Sequence, residues 1–180
     1  GDERGCYAAL MLNAELFDHR LFSISVAEAS AMDPQQRLLL EHSYGAVHGA
    51  ALQRQSLVGS GMGVYVGVTS TEFAMVPKPA SVYGIGGVGH CFAAGRLSFM
   101  LGVQGPCVAI DTACSSSLVA CHGAVRALQL DECASAVLSG VFAILVPATS
   151  AMYAFAGLTS RRGRSHTFDD RADGFGRGEA

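Results

Sequence analysis

From residue 133 to residue 160 the chain carries no Asp, Glu, Lys or Arg. A stretch of that length has to leave water, either in a protein core or in a bilayer, where a spanning helix needs about 20 apolar residues. Gly140, Pro147, Thr149, Ser150 and Gly157 interrupt it, and the apolar runs between them are of strand length. The segment therefore predicts two buried strands, 134–138 and 143–146, joined by a turn, and no membrane span. With 180 residues, 50% of them hydrophobic, the chain is long enough to bury such strands in one globular domain.

Charge narrows the function classes. Twelve Lys+Arg against fifteen Asp+Glu leave a net charge of -3, so no basic surface marks nucleic acid or acidic lipid as a partner. Lys78 is the single lysine and lies between two prolines with no glycine-rich loop before it, which argues against a Schiff base or a phosphate-binding lysine. The cysteines, Cys6, Cys91, Cys107, Cys114, Cys121 and Cys133, form no C-x-x-C pair, so no metal site is expected. Five of them lie among apolar or small residues. Together with the lack of an opening signal peptide, this predicts reduced, buried thiols and a cytoplasmic location. A first residue that is Gly1 and a last stretch, 177–180, without a stop signal predict a piece of a longer chain.

From Met32 onward helical and strand signals alternate, the pattern of an α/β protein with helices covering a sheet. Asp33 as N-cap, Pro34 at the first helical position and Gln36 closing a D-x-x-Q capping box predict a helix to about residue 51, with Leu40, Tyr44, Val47 and Ala51 inward. Residues 63–69 (GVYVGVT) read as a strand buried on both faces, and 70–83 as loop. A helix over 90–101, a Gly/Pro turn over 102–106 and a strand over 107–110 follow. Residues 115–130, with Leu118, Val125 and Leu128 on one face and small residues almost everywhere else, predict a helix buried on most sides. Residues 161–180, rich in Arg and Gly, read as loop or turns.

The chemistry concentrates at Asp111-Thr112-Ala113-Cys114-Ser115-Ser116-Ser117-Leu118, where a strand passes through a turn of small residues into a helix. A thiol at that turn sits at the positive end of the helix dipole and beside free backbone N–H groups, which favour thiolate and can bind the oxyanion formed when sulfur attacks a carbonyl. The small neighbours leave room for a substrate, as a nucleophile elbow does. A buried cysteine in a tight connection is the alternative.

Residues 111–120 resemble the active-site signature of the β-ketoacyl synthases, especially the ketosynthase domains of modular polyketide synthases. Phe17-Asp18 with 31–41 (AMDPQQRLLLE) resembles the family's N-terminal block. Residues 94–99 (AGRLSF) with 102–106 (GVQGP) resemble its central block, and Phe168-Asp169, 172–174 (ADG) and 177–179 (RGE) its later glycine-rich stretch.

The resemblance implies a thiolase-like layered α/β/α fold, of which residues 1–180 form the N-terminal half carrying the nucleophile, and a homodimer. It implies that Cys114 takes an acyl chain from the phosphopantetheine thiol of an acyl carrier protein. Decarboxylation of a malonyl-type thioester then yields the enolate that attacks the acyl-enzyme, with no bound cofactor or metal. Polyketide and fatty acid synthesis are the settings implied. The family's two catalytic histidines and lysine lie beyond this region. His19, His42, His48, His90, His122 and His166 match none of them, so the segment alone should not turn over.

The chain departs from the family pattern at 139–142 (SGVF), where Gly-Gly-Val-Asn is common, at 87–89 (GVG) with Cys91, and at Cys107, which bears on packing and substrate shape.

Rival readings remain. Residues 84–89 (GIGGVG) satisfy the dinucleotide fingerprint G-x-G-x-x-G with Asp111 about 20 residues on, but too few residues precede them for a first strand, and close loop packing explains them as well. A non-catalytic synthase remnant serving dimerisation or carrier docking, a thiolase or chalcone-synthase relative acting on coenzyme A thioesters, and a hydrolase using Ser115, Ser116 or Ser117 are the others. Arg161, Arg162 and Arg164 are candidates for steering an acidic carrier protein.

Overall fold

The computed structural model describes residues 7–69 and 71–180; Cys6 lies outside the described residues. Along the chain run β1 (Ala8–Ala9), α1 (Val26–Ala31), α2 (Pro34–Gly49), α3 (Arg54–Leu57), β2 (Gly63–Val68), α4 (Gly84–Val88) and α5 (His90–Leu101). Then come β3 (Cys107–Ile110), α6 (Ser116–Gln129), β4 (Ala136–Val141), α7 (Pro147–Phe155) and β5 (Arg177–Gly178).

The valine-rich run that reads as a doubly buried strand is β2, buried over all six of its residues. It is the centre of a parallel sheet of order β3-β2-β4. Alternation along β2 sends Val64, Val66 and Val68 to one face, where they meet Leu38, Leu39 and Val47 of α2 and Ala93, Ala94, Leu97 and Leu101 of α5. Tyr65 goes to the other face, against Ala120, Ala124 and Ala127 of α6.

This three-layer arrangement follows from connection handedness. The step from β2 to β3 moves one way across the sheet and the step from β3 to β4 moves back, so crossovers of one hand place α5 and α6 on opposite faces. The α/β/α expectation holds, and the fold positions the carboxyl ends of all three strands along one edge.

Several local expectations fail for identifiable reasons. In α6 the inward residues are the small ones, while Leu118 is 74% exposed and Val125 and Leu128 also face outward. The helix lies too close to the sheet to admit large side chains, so the buried stripe is the alanine series at 120, 124 and 127. In α2, Leu40 and Val47 are buried as expected, but the helix ends at Gly49 and Ala51 is exposed with φ 57°.

Asp33 does cap α2, accepting from the Gln35 N–H at 2.8 Å. The capping box does not close. Gln36 instead donates to the Gly86 carbonyl at 3.1 Å, and the Asp33 N–H donates to the Gly87 carbonyl at 2.8 Å. A Cβ at Gly87 would fall 1.9 Å from the Ala31 carbonyl oxygen, so this glycine of the fingerprint-like run serves close packing on the end of α1. The run forms the short α4 with no strand before it, contrary to a dinucleotide-binding unit.

The charge-free stretch yields one strand. β4 forms slightly later than expected, at Ala136–Val141, but 143–146 is not a strand, because its amides are taken by side chains from elsewhere. The Ala143 N–H donates to Gln35 Oε1 (3.3 Å) and Ile144 N–H to Glu179 Oε1 (2.8 Å). Leu145 and Val146 both donate to Glu72 Oε2, at 2.8 and 2.7 Å. Helix α7 then begins with Pro147 in its first turn and ends before Gly157, which has φ 71°. The supposed loop 70–83 contains a 3-10 turn, Glu72–Met75, and the tail contributes β5, paired in parallel with β1. No helix among the described residues is long and apolar enough to cross a membrane.

Candidate active site

Cys114 lies between the end of β3 and the start of α6, where crossover helices leave neighbouring strands on opposite faces of the sheet. In parallel α/β sheets that divergence opens a crevice beyond the strand ends. Here the crevice is a cleft of about 540 Å³ lined by Gly67, Val68 and Thr69 from the β2 end, by Ala113 and Cys114, and by Gly140, Val141 and Phe142 from the β4 end. Tyr153, Phe175 and Arg177 close its far side.

The turn is built from its own small polar residues. Ala113 has φ 55°, the left-handed conformation of a sharp strand-to-helix turn. Asp111 Oδ1 accepts from the Ala113 N–H at 3.0 Å, and Ser116 Oγ accepts from the Thr112 N–H at 2.9 Å while donating to the Ala113 carbonyl at 2.7 Å. Ser115 Oγ donates to the Thr112 carbonyl at 2.9 Å. The Ser115 and Ser116 N–H groups bond back to the carbonyls of Thr112 and Ala113. Thus the amides of Thr112, Ala113, Ser115 and Ser116, expected to be free, are spent within the turn.

The hydroxyls of Ser115 and Ser116 are likewise occupied in holding it. Cys114 remains exposed in the cleft. Hydrogen bonds from Ala113 and Thr69, with His90 nearby, hold the Asp111 carboxyl below its ordinary range. His90 Nδ1 lies 4.0 Å from Asp111 Oδ2.

Glycines on two strands let α6 reach the sheet. A Cβ at Gly67 would lie 2.6 Å from the Ser117 backbone nitrogen. Gly67 cannot carry a side chain without moving the backbone of the first turn of α6, and one at Gly140 would first displace the Ser117 side chain, so Gly67 and Gly140 together fix where Cys114 sits.

The far wall rests on a buried ion pair missed by the sequence reading. Arg177 Nη2 is 3.5 Å from Glu72 Oε1, with the side chains 4% and 5% exposed. Arg177 also donates to Ser150 Oγ, and its guanidinium lies over Tyr153, 4.9 Å from the ring centroid. Pro147 followed by a helical run and Gly157 is the available signal for α7, which carries Tyr153. The partner of Glu72 is set only by tertiary structure.

None of the six histidines lines the Cys114 cleft. His19 Nδ1 contacts the Ile24 carbonyl at 2.6 Å, and His42, His48 and His122 are exposed. The expectation of buried thiols needs correction: Cys91 and Cys107 are exposed like Cys114, Cys121 is half-buried and only Cys133 is buried among the described residues. All five are free. Arg161, Arg162 and Arg164 are exposed on the tail, and Arg171 pairs with Asp169 at 2.6 Å.

This layered α/β arrangement is also that of solved ketosynthases. The ketosynthase from module 6 of the bacillaene synthase of Bacillus subtilis superposes with a TM-score of 0.85 at 34% identity, covering 96% of this chain and 29% of that one. The fold is therefore the thiolase-like fold of that class.

The family model for the β-ketoacyl synthase N-terminal domain matches residues 1–180, and the chain belongs to that family, as part of a ketosynthase domain of the polyketide synthase type. It is 44% identical over 167 residues to a phenolphthiocerol/phthiocerol polyketide synthase of Mycobacterium tuberculosis, covering 91% of this chain and 11% of that protein. It is 40% identical over 173 residues to a mycocerosic acid synthase-like polyketide synthase of Mycolicibacterium smegmatis, covering 94% and 8%. The chain thus spans about a tenth of these relatives' length.

Proposed function

We propose that the protein is a condensing enzyme of polyketide synthesis in which Cys114 carries the growing acyl chain. The Cys114 thiolate attacks the carbonyl carbon of an acyl thioester held on an acyl carrier protein. The oxyanion that forms collapses and expels the carrier's thiolate, leaving the acyl group on Cys114. A malonyl-type thioester then loses CO2, and its enolate carbon attacks the acyl-enzyme carbonyl. A carbon–carbon bond forms, the carbon–sulfur bond to Cys114 breaks, and a β-ketoacyl thioester leaves on the carrier.

The observation that carries this reading is the placement of Cys114, exposed in a cleft, after a left-handed Ala113 and two residues before a buried helix start. With the amides of Thr112, Ala113, Ser115 and Ser116 engaged, this reading assigns the oxyanion to the N–H of Cys114. The base and further donors for decarboxylation would come from histidines and a lysine in sequence following this segment. No bound cofactor is needed by this chemistry. Exposed Arg161, Arg162 and Arg164 suit the steering of an acidic carrier domain. Cytoplasmic location and pairing of two subunits belong to the same reading.

In the full-length protein, Cys114→Ala should abolish acyl-enzyme formation while the circular dichroism spectrum is retained. Persistent acylation of that variant would refute the assignment.

A further inference from the structure

The glycine run 84–89 and Asp111, the two parts of the fingerprint-like pattern, do meet in the fold. The run is pinned to the start of α2, the Asp33 N–H donating to the Gly87 carbonyl at 2.8 Å and Gln36 Nε2 to the Gly86 carbonyl at 3.1 Å. It ends at Gly89, the N-cap of α5, so the first residue of that helix, His90, is delivered to a fixed place. Its ring reaches the turn that carries Cys114, with Nδ1 4.0 Å from Asp111 Oδ2. That separation is too long for a hydrogen bond and suits a charge pair that forms when the imidazole gains a proton.

The two oxygens of Asp111 are divided between neighbours. Oδ1 accepts from the Ala113 N–H at 3.0 Å, which holds the left-handed residue immediately before Cys114. Oδ2 is the oxygen on the side of His90. Thr69, at the end of β2, bonds the same carboxyl. The Ala113 and Thr69 bonds need no change of charge on their donors, whereas the attraction to His90 comes and goes with its proton.

The other charged groups around His90 lie on α2 and α5. Asp33, the buried N-cap of α2, has its carboxyl pushed up by burial, against its bonds with Gln35 and the charges of Arg37 and His90. On α5 itself Arg96 is engaged by Glu28. Among the described residues His90 thus stands between two carboxylates, one capping α2 and one holding the Cys114 turn. The side chains of His90 and Asp111 are 24% and 48% exposed, so their pairing has the strength of a surface ion pair and is screened by salt.

Resting on the reading that Cys114 is acylated, we propose that His90 is a positioning residue for that step. Its protonated form steadies Asp111, and through Asp111 the Ala113 turn, so that Cys114 is presented better when His90 carries its proton than when it does not.

The test follows acylation of Cys114 in the full-length protein by butanoyl-N-acetylcysteamine, read by mass spectrometry from about pH 5 to about pH 8. Dividing the wild-type rate by that of His90→Gln at each pH cancels what the titration of the Cys114 thiol contributes to both. The ratio should be close to one at the alkaline end and rise to about threefold at the acid end. In an Asp111→Asn background the amide oxygen still accepts from Ala113 but carries no charge, and the same ratio should stay flat. A ratio that does not change with pH in the wild-type background overturns the proposal. An equal rise in the Asp111→Asn background overturns it too, since the effect would then run through Asp33. No acylation of Cys114 in the wild-type protein at any pH overturns the condensing-enzyme reading itself, and the role of His90 with it.

Discussion

A Cβ added at Gly140 would lie 2.1 Å from the Ser117 Oγ, so the first turn of α6 rests directly on the end of β4. Gly67 makes the same approach from β2, with backbone atoms of Ser116 and Ser117 within 2.8 Å of the point a methyl there would occupy. The position of Cys114 over the sheet edge is therefore set by two residues that lack side chains.

Gly67→Ala forces backbone against methyl and should cost about 3 kcal/mol, at the upper end for overpacking a core. Gly140→Ala first meets a hydroxyl that can rotate, so its cost should be smaller. Chemical denaturation midpoints of the two variants check the order, and acylation of Cys114 should fall more in Gly67→Ala. Equal stability of both variants and wild type would contradict the packing described.

Removing one member of the buried Glu72 and Arg177 pair leaves the other charge without its partner in a dry site, at a cost of about 3 to 5 kcal/mol. Both side chains are almost fully buried, so solvent screening does not reduce this much. Glu72→Gln should lower the unfolding free energy by that order and loosen the 142–146 segment, measurable as faster amide exchange at Leu145 and Val146. Unchanged exchange there would count against the clamp.

Asp111 is held below its ordinary value of 3.8 by hydrogen bonds from Ala113 and Thr69. The folded protein thus binds that proton more weakly than the unfolded chain does. The resulting stabilisation is complete above the unfolded value and disappears as pH falls through the lower folded one. Carboxyl titration by NMR should give a midpoint under 3.8 for Asp111. A midpoint above it would mean that the carboxylate does not hold the Ala113 turn.

Gly87→Ala places a methyl 1.9 Å from the Ala31 carbonyl oxygen and should displace α4 from the start of α2, losing the Asp33 to Gly87 hydrogen bond. Lower thermal stability with no NADH binding by the wild-type protein is the expected pair of results. NADH binding that Gly87→Ala removes would restore the nucleotide reading.

The parallel sheet and the strand-to-helix turn at Cys114 are legible in the sequence because both depend on local signals: the valine run of β2, the Asp33 and Pro34 start of α2, and the small residues around Cys114. The buried face of α6 is not, because its leucine and valine positions outweigh the alanines, and only the closeness permitted by Gly67 and Gly140 makes alanine the buried residue. Residues 143–146 have strand composition, yet Glu72, Glu179 and Gln35 supply their hydrogen bonds from distant positions. Phe142, Tyr153 and Arg177 reach the cleft through those same long-range contacts, which no local pattern encodes.

Incubating the full-length protein with an acyl thioester and mapping the modified peptide tests the role of Cys114 most directly, since Cys91 and Cys107 are also exposed and provide internal competitors. The acyl group should be found on Cys114. Acyl groups on Cys91, Cys107 or Cys121, with Cys114 unmodified, would contradict the account.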